Sequence, residues 1–236
     1  MWKHKLQIPE GQYYESNGFA FILSVLLRNL QKYQLIIEFL SESSSISLSF
    51  NKKSDNFELL VRLDDNMKNC MTNVTLKKEV WYIVAVTSNF TKHSLYLNNR
   101  IQCSFEYDVS NEFTNKTQKE SFIGKAIDGS NPFHGILRHL KVFNQNLNAN
   151  QIKSTMYKNI NDQVLFIQKS TDFNSGLVHY WPFAGSTRDV IGGKHMKIVK
   201  RAKLFNDRFG NFQSGKKIYK LFLWLTAQIL GSITIL

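Results

Sequence analysis

Glu106, Asp108 and Glu112 fall in the string Glu106-Tyr-Asp108-Val-Ser110-Asn-Glu112, whose alternation puts all three on one face of an extended strand. Paired carboxylates of this kind serve glycoside hydrolysis, one as nucleophile or base and the other as acid. The spacing argues against that use. Ser110 interrupts the row, and the third acid falls beyond a compact set, so a solvated strand edge accounts for these residues. No Gly-x-Ser-x-Gly elbow, His-Glu-x-x-His pair or phosphate loop occurs. His4, His93, His134, His139, His179 and His195 are scattered, with no metal-ligand spacing among them. Hydrolysis therefore stands only as an alternative reading.

Oxygen donors are the next chemistry. Asp128 and Asn131, in the loop 125–132, are hard ligands of the kind calcium takes. Asp64, Asp65 and Asn66 form a second oxygen-rich turn. Turn formation alone also explains Asp and Asn at such places. Phe133 closes the first loop and is expected to be its exposed aromatic. Asp128, Asn131 and Phe133 are thus the candidate ligand-binding residues, and Asp128 and Asn131 the candidate calcium donors. Trp81, Tyr82 and Tyr96 lie in strand-like runs and are expected mainly in the core.

Cys70 and Cys103 are the two cysteines, 33 positions apart. In an oxidising compartment they form one bridge; in the cytosol they are two small buried hydrophobes. Asn73, Asn89 and Asn115 each begin an N-glycosylation sequon, a number that chance alone supplies in so Asn-rich a chain. The net charge is +12, yet residues 1–175 carry only +4 and residues 176–220 carry +8. A basic surface attracts polyanions such as sulfated glycan or anionic lipid. Nucleic acid is not expected, because no zinc-finger spacing or RNA-binding signature appears.

The elements that must hold these residues are strands. Phe19-Ala-Phe21-Ile-Leu23-Ser-Val25, Tyr33-Gln-Leu35-Ile-Ile37-Glu-Phe39, Ile46-Ser-Leu48-Ser-Phe50 and Phe57-Glu-Leu59-Leu-Val61-Arg-Leu63 alternate with period two. Residues 80–86 are nearly all apolar, as a strand buried on both faces requires. Leu95-Tyr-Leu97 leads to an Asn98-Asn99 turn, and residues 135–143 alternate again. Helical spacing predicts one short helix over 149–157. Closely spaced strands, polar turns and 13% aromatic residues predict an all-β, antiparallel β-sandwich.

The string EVWYIVAVTSNFTKHSLYLNNR, the pair Ile123-Gly124, and GILRHLKVFNQNLNANQI occur in this order. Together they resemble the laminin G-like jelly roll of the concanavalin A-like lectin superfamily. Trp81, Leu95 to Asn98, Phe143, Asn144, Leu147 and Ile152 hold the matching positions. Asn99 stands where glycine is usual, and Arg138 and His139 replace an acidic pair that would favour calcium. A second phrase, GLVHYWPFAGSTRDVIGGKHMKIV, resembles the opening of another copy, and the first copy lacks an opening Trp-Pro-Phe strand of its own. The resemblance implies a domain over 1–160, a linker over 161–175, and the start of a second, incomplete copy over 176–220. It also implies a binding module of a larger extracellular or cell-surface protein, with glycan or protein ligands at the sandwich-rim loops.

The two ends bear on placement. The first residues are polar and charged, without the apolar run of a signal peptide. The last sixteen, from Leu221 to Leu236, contain no charge and form an apolar tail just short of a full membrane span. That tail is a candidate for membrane attachment, preceded by Lys216, Lys217 and Lys220.

Overall fold

The computed structural model describes residues 6–10, 18–41, 44–63, 66–89, 91–106, 121–126, 128, 130–157, 176–183 and 186–198, and the backbone of 202–205, 215–218 and 233–235. The strands run β1 (Leu6–Ile8), β2 (Phe19–Leu27), β3 (Gln34–Leu40), β4 (Ser44–Asn51), β5 (Asn56–Leu63) and β6 (Asn66–Met71). They continue with β7 (Trp81–Ser88), β8 (Lys92–Leu97), β9 (Arg100–Glu106), β10 (Ser121–Ile123) and β11 (Gly135–Phe143), and then helix α1 (Ala149–Tyr157). After it come β12 (Leu177–Trp181), β13 (Lys197–Ile198), β14 (Ala202–Phe205), β15 (Gly215–Ile218) and β16 (Ile233–Ile235).

Two sheets result. One has the order β13-β1-β10-β3-β4-β5-β6, and the other β14-β15-β16-β11-β2-β7-β8-β9, with β12 also on β11. The pairing is antiparallel except between β15 and β16. This is the all-β antiparallel sandwich that the alternation predicts.

Parity decides what each strand buries. In β2, Phe19, Phe21, Leu23, Val25 and Leu27 point into the space between the sheets. They meet Phe39 of β3, Phe50 of β4 and Phe57 of β5 there. Ala20 and Ile22, one step out of phase, point to the opposite face. That face is covered by Leu147 and Ile152 around α1, together with Ala85, Tyr96 and Phe143. The strands β2 and β7 are therefore apolar on both sides, which explains their nearly continuous apolar runs.

Local chemistry sets the ends of these elements. Asn148 and Gln151 form a reciprocal capping box: Gln151 N–H donates to Asn148 Oδ1 at 3.0 Å, and Asn148 N–H to Gln151 Oε1 at 2.9 Å. Asn98 and Asn99 both have positive φ, 47° and 68°, as a two-residue hairpin turn needs. Asparagine thus serves at the position where glycine is usual. Cys70 and Cys103 are bonded to each other, with Cα atoms 6.0 Å apart. They lie on β6 and β9, the edge strands of the two sheets, so the bridge joins the sandwich along its open side.

The stretch 176–220, expected to begin a second copy, is in part packed on this same sandwich. β12 pairs with β11 in the register Leu140 to Trp181 and Val142 to His179, and β13 pairs with β1. Trp181, Phe183 and Met196 belong to the cluster that holds Leu6, Phe39 and Leu140. The physical reason is size: a few dozen residues bury too little surface to shelter two large rings by themselves. The tail from Leu221 to Leu236 lies outside the described residues except for β16, whose backbone pairs with Gly135 to Leu137. Among the described residues no helix is long and apolar enough to cross a membrane.

Candidate functional site

Four segments meet at one rim of the sandwich: the β2–β3 connection, the β4–β5 turn, the chain from β6 to β7, and the loop between β10 and β11. Backbone bonds fasten them together. Arg28 N–H donates to His134 O at 2.9 Å, Leu35 N–H to Asn131 O at 2.9 Å, Leu76 N–H to Asp55 O at 2.8 Å, and Glu79 N–H to Leu27 O at 2.9 Å. The buried amide of Gln34 ties two of them from within. Its Oε1 accepts His134 N–H at 2.6 Å and its Nε2 donates to Asn29 O.

Between three of these segments lies a cavity of about 610 Å³, lined by Arg28, Asn29, Leu30, Gln31, Lys52, Asp55 and Lys78. The three segments bring Arg28, Lys32, Lys52, Lys53, Lys77 and Lys78 against only Asp55 and Glu79. Glu79 forms an ion pair with Arg28 at 3.7 Å, on the surface. Four positive charges in excess remain around a concave site rich in amide groups. Such an excess of positive charge attracts anions.

Asp128, Asn131 and Phe133 lie between β10 and β11 with different roles. Asp128 is exposed and accepts Ser130 N–H at 2.6 Å; that bond, with a further one from the Ser130 side chain, holds its carboxyl below the usual range. Asn131 takes a positive φ of 47°, its carbonyl anchors Leu35, and its exposed Nδ2 donates to Ser130 Oγ at 3.3 Å. These are the contacts of turn formation. Among the described residues no group of three His, Cys, Asp or Glu side chains gathers for a metal.

Phe133 corrects an expectation. Its ring is fully buried, not exposed, and lies in the core cluster with Phe39 and Leu137. The loop turns inward there because Gly135 leaves room: a Cβ at Gly135 would lie 2.4 Å from the Phe133 ring and 2.1 Å from Leu26 O. Trp81 also departs from the core reading. It is half-buried at the start of β7, with the Arg138 guanidinium 4.4 Å from its ring centre. Tyr82 and Tyr96 are buried as expected.

Glu106 is exposed at the end of the edge strand β9, where its carbonyl accepts Lys68 Nζ at 2.5 Å. Asp108 and Glu112 lie outside the described residues, as does Asn115. Asn73 and Asn89 are exposed. Asn73 Nδ2 donates to Gln102 O at 3.3 Å, while Asn89 Oδ1 accepts Lys92 N–H at 2.8 Å.

A second polar cluster forms around Asp189. Its buried carboxylate accepts the backbone N–H groups of Tyr180, Ile191, Gly192 and Lys194, each at 3.0 Å, and the Nδ1 of His179 at 2.6 Å. Burial alone would push this carboxyl up. The bonds from His179 and the backbone outweigh it and bring the pKa down to about 2. Nearby, His139 takes a positive φ of 52° at a bulge in β11 and shares a hydrogen bond with the Tyr180 hydroxyl at 3.0 Å. Burial, with Lys141 and Arg138 close by, lowers its pKa to about 4.

Sequence reasoning missed Gln34 and the rim cations. Lys52-Lys53 and Lys77-Lys78 are visible as basic pairs, but nothing local says that they converge. Asp189 and His195 lie within the phrase that resembles the opening of another copy, and nothing local marks them as a polar cluster.

Two face-packed, mainly antiparallel sheets with four connections gathered at one rim define a jelly-roll sandwich. The chain belongs to the concanavalin A-like lectin/glucanases superfamily, whose laminin G family model matches residues 3–153. No curated protein is matched by sequence. Among solved structures, it is similar to a putative carbohydrate binding protein from Bacteroides ovatus. The TM-score is 0.61 and the identity 16%, over 84% of this chain and 56% of that one. It is also similar to domain 4 of AbnA, an extracellular arabinanase from Geobacillus stearothermophilus, in complex with arabinotriose (TM-score 0.54, 18% identity, 63% of this chain and 70% of that one). Domains LG4-5 of the mouse laminin alpha1 chain match at a TM-score of 0.50 and 14% identity, over 63% of this chain and 41% of that one. At these identities the likeness is one of fold.

Proposed function

We propose that the protein is a non-catalytic binding module of a larger extracellular or cell-surface protein, and that its rim loops recognise an acidic glycan. The observation that carries this is the cavity lined by Arg28, Lys52 and Lys78 with the amides of Asn29 and Gln31. Sulfate or carboxylate groups on a sugar match the cations, and sugar hydroxyls match the amides. The fold supports the reading as well, because structures of similar fold include a putative carbohydrate binding protein and an arabinanase domain in complex with arabinotriose. The rim is held by buried Gln34 and by backbone bonds, so the loops are arranged before a ligand arrives.

The test is binding of the full chain to a heparin-like polymer and to a neutral polysaccharide across a salt series. Affinity for the sulfated polymer should fall steeply with salt, and the triple variant Arg28→Ala, Lys52→Ala, Lys78→Ala should bind at least ten-fold more weakly. Binding that ignores salt, or a triple variant that binds as tightly as the parent, would overturn the reading.

A further inference from the structure

Residues 176–198 form a compact piece that is folded around its own carboxylate and docked by its rings. Within it, Asp189 gathers four backbone N–H groups and His179. Val190 N–H donates to Tyr180 O at 2.9 Å and Met196 N–H to Thr187 O at 3.1 Å. The Trp181 indole N–H donates to Lys194 O at 2.9 Å, and His179 stacks on the Trp181 ring at 5.2 Å. Gly192 is required for this closure, since a Cβ there would lie 2.2 Å from His179 Nδ1.

The docking face is equally specific. β12 continues the sheet along Leu140 to Phe143 of β11, and Asn144 N–H donates to Gly176 O at 2.8 Å. Trp181 and Phe183 enter the main core and are essentially without exposure. β13 covers the outer edge of β1, and Lys194 Nζ donates to Glu10 O at 3.1 Å. One piece of chain thus contacts both sheets at opposite ends of the sequence that precedes it.

We propose that residues 177–198 are a complementing segment for the sandwich of residues 6–157. The slot beside β11 is a receptor for a strand that carries Trp-Pro-Phe, and this chain fills it in cis. The folding unit is then 6–198, not 1–160. The same phrase would begin a copy when read in sequence order, yet it finishes one here. The proposal concerns how the module is assembled, and it stands whether or not the rim binds an acidic glycan.

The experiment uses the full chain with a site-specific protease sequence inserted within residues 161–175, cut after folding. The two pieces should stay together on size exclusion in native buffer and separate only in denaturant. With Trp181→Ala in the cut protein, the C-terminal piece should dissociate at least ten-fold more readily. Amide exchange at Leu140 to Phe143 should rise by a similar factor, while exchange in β4 and β5 stays slow. Pieces that separate in native buffer, with the first keeping its cooperative unfolding, would overturn the proposal and restore two units. Unchanged dissociation in the Trp181→Ala protein would overturn it too. If that variant does not fold uncut, the cut parent protein still decides.

Discussion

The Gln34 side chain accepts the backbone N–H of His134, a residue one hundred positions away, at 2.6 Å. The same amide donates to Asn29 O, so a single buried side chain joins the β2–β3 connection to the β10–β11 loop. Gln34→Leu keeps the size and removes both bonds. It leaves two backbone groups without partners, which costs about 2–4 kcal/mol. We expect a matching fall in the midpoint of urea unfolding and a weaker hold on sulfated polymer. A variant as stable as the parent would show that the amide does not organise the rim.

Phe133→Ala separates a core ring from a ligand platform. A buried ring of this size contributes about 3–5 kcal/mol, so thermal unfolding should move down by about 6–20 degrees. A ring that served only as a sugar platform would leave stability unchanged and lower affinity alone.

The bond between Cys70 and Cys103 closes a loop of 33 positions, and the chain-entropy cost of opening it is about 3–4 kcal/mol. The paired Cys70→Ala, Cys103→Ala variant should unfold about ten degrees lower. The gain in hydrogen exchange should concentrate in β6 and β9, the strands it joins. Uniform exchange with an unchanged midpoint would show that the two edges hold each other without the bridge.

Acid should act in two stages. Burial lowers the His93 pKa to about 4, and His139 is lowered to about 4 as well. In the unfolded chain both titrate near 6.5, so between the two values the unfolded state binds more protons. Stability is full above pH 6.5 and falls by about 1 kcal/mol per pH unit for each imidazole as the pH drops toward 4. Asp189, held down to about 2, stabilises the fold above its unfolded value near 4 and loses that contribution as the pH falls through 2. Urea midpoints from pH 7 to 2 should decline over both windows, and His93→Phe should about halve the slope of the first, leaving the His139 share. A profile that is flat from pH 7 to 4 would contradict neutral buried imidazoles.

Much of the fold is legible in the sequence because its signals are local. The alternation of Phe19, Phe21, Leu23 and Val25 gives β2 and its inward face directly. Asn98-Asn99 gives a hairpin turn, and helical spacing gives α1 over 149–157. The candidate site was less legible because its parts are assembled by topology. Arg28, Lys52 and Lys78 stand on three separate connections, and only the sheet order brings them to one cavity. Phe133 resembled a loop aromatic, since the sequence does not reveal that Gly135 lets the chain fold its ring inward. The Trp-Pro-Phe strand was legible as a strand but not as a partner of β11, because pairing across the chain leaves no periodic trace.

The pairing of β1 with β13 has a mechanical consequence. These strands are antiparallel, with Leu6 opposite Ile198, so the chain enters and leaves at the same end of the ladder. Tension applied through residues 6 and 198 loads the bonds one after another, like a zipper, rather than all together in shear. Such a junction peels at low force and re-forms readily. The Cys70–Cys103 tether lies on the far side of the sandwich, off that line of pull. In a single-molecule stretching record the module should therefore yield first as a short, soft, reversible extension. The length between residues 70 and 103 should remain locked until the bridge is reduced.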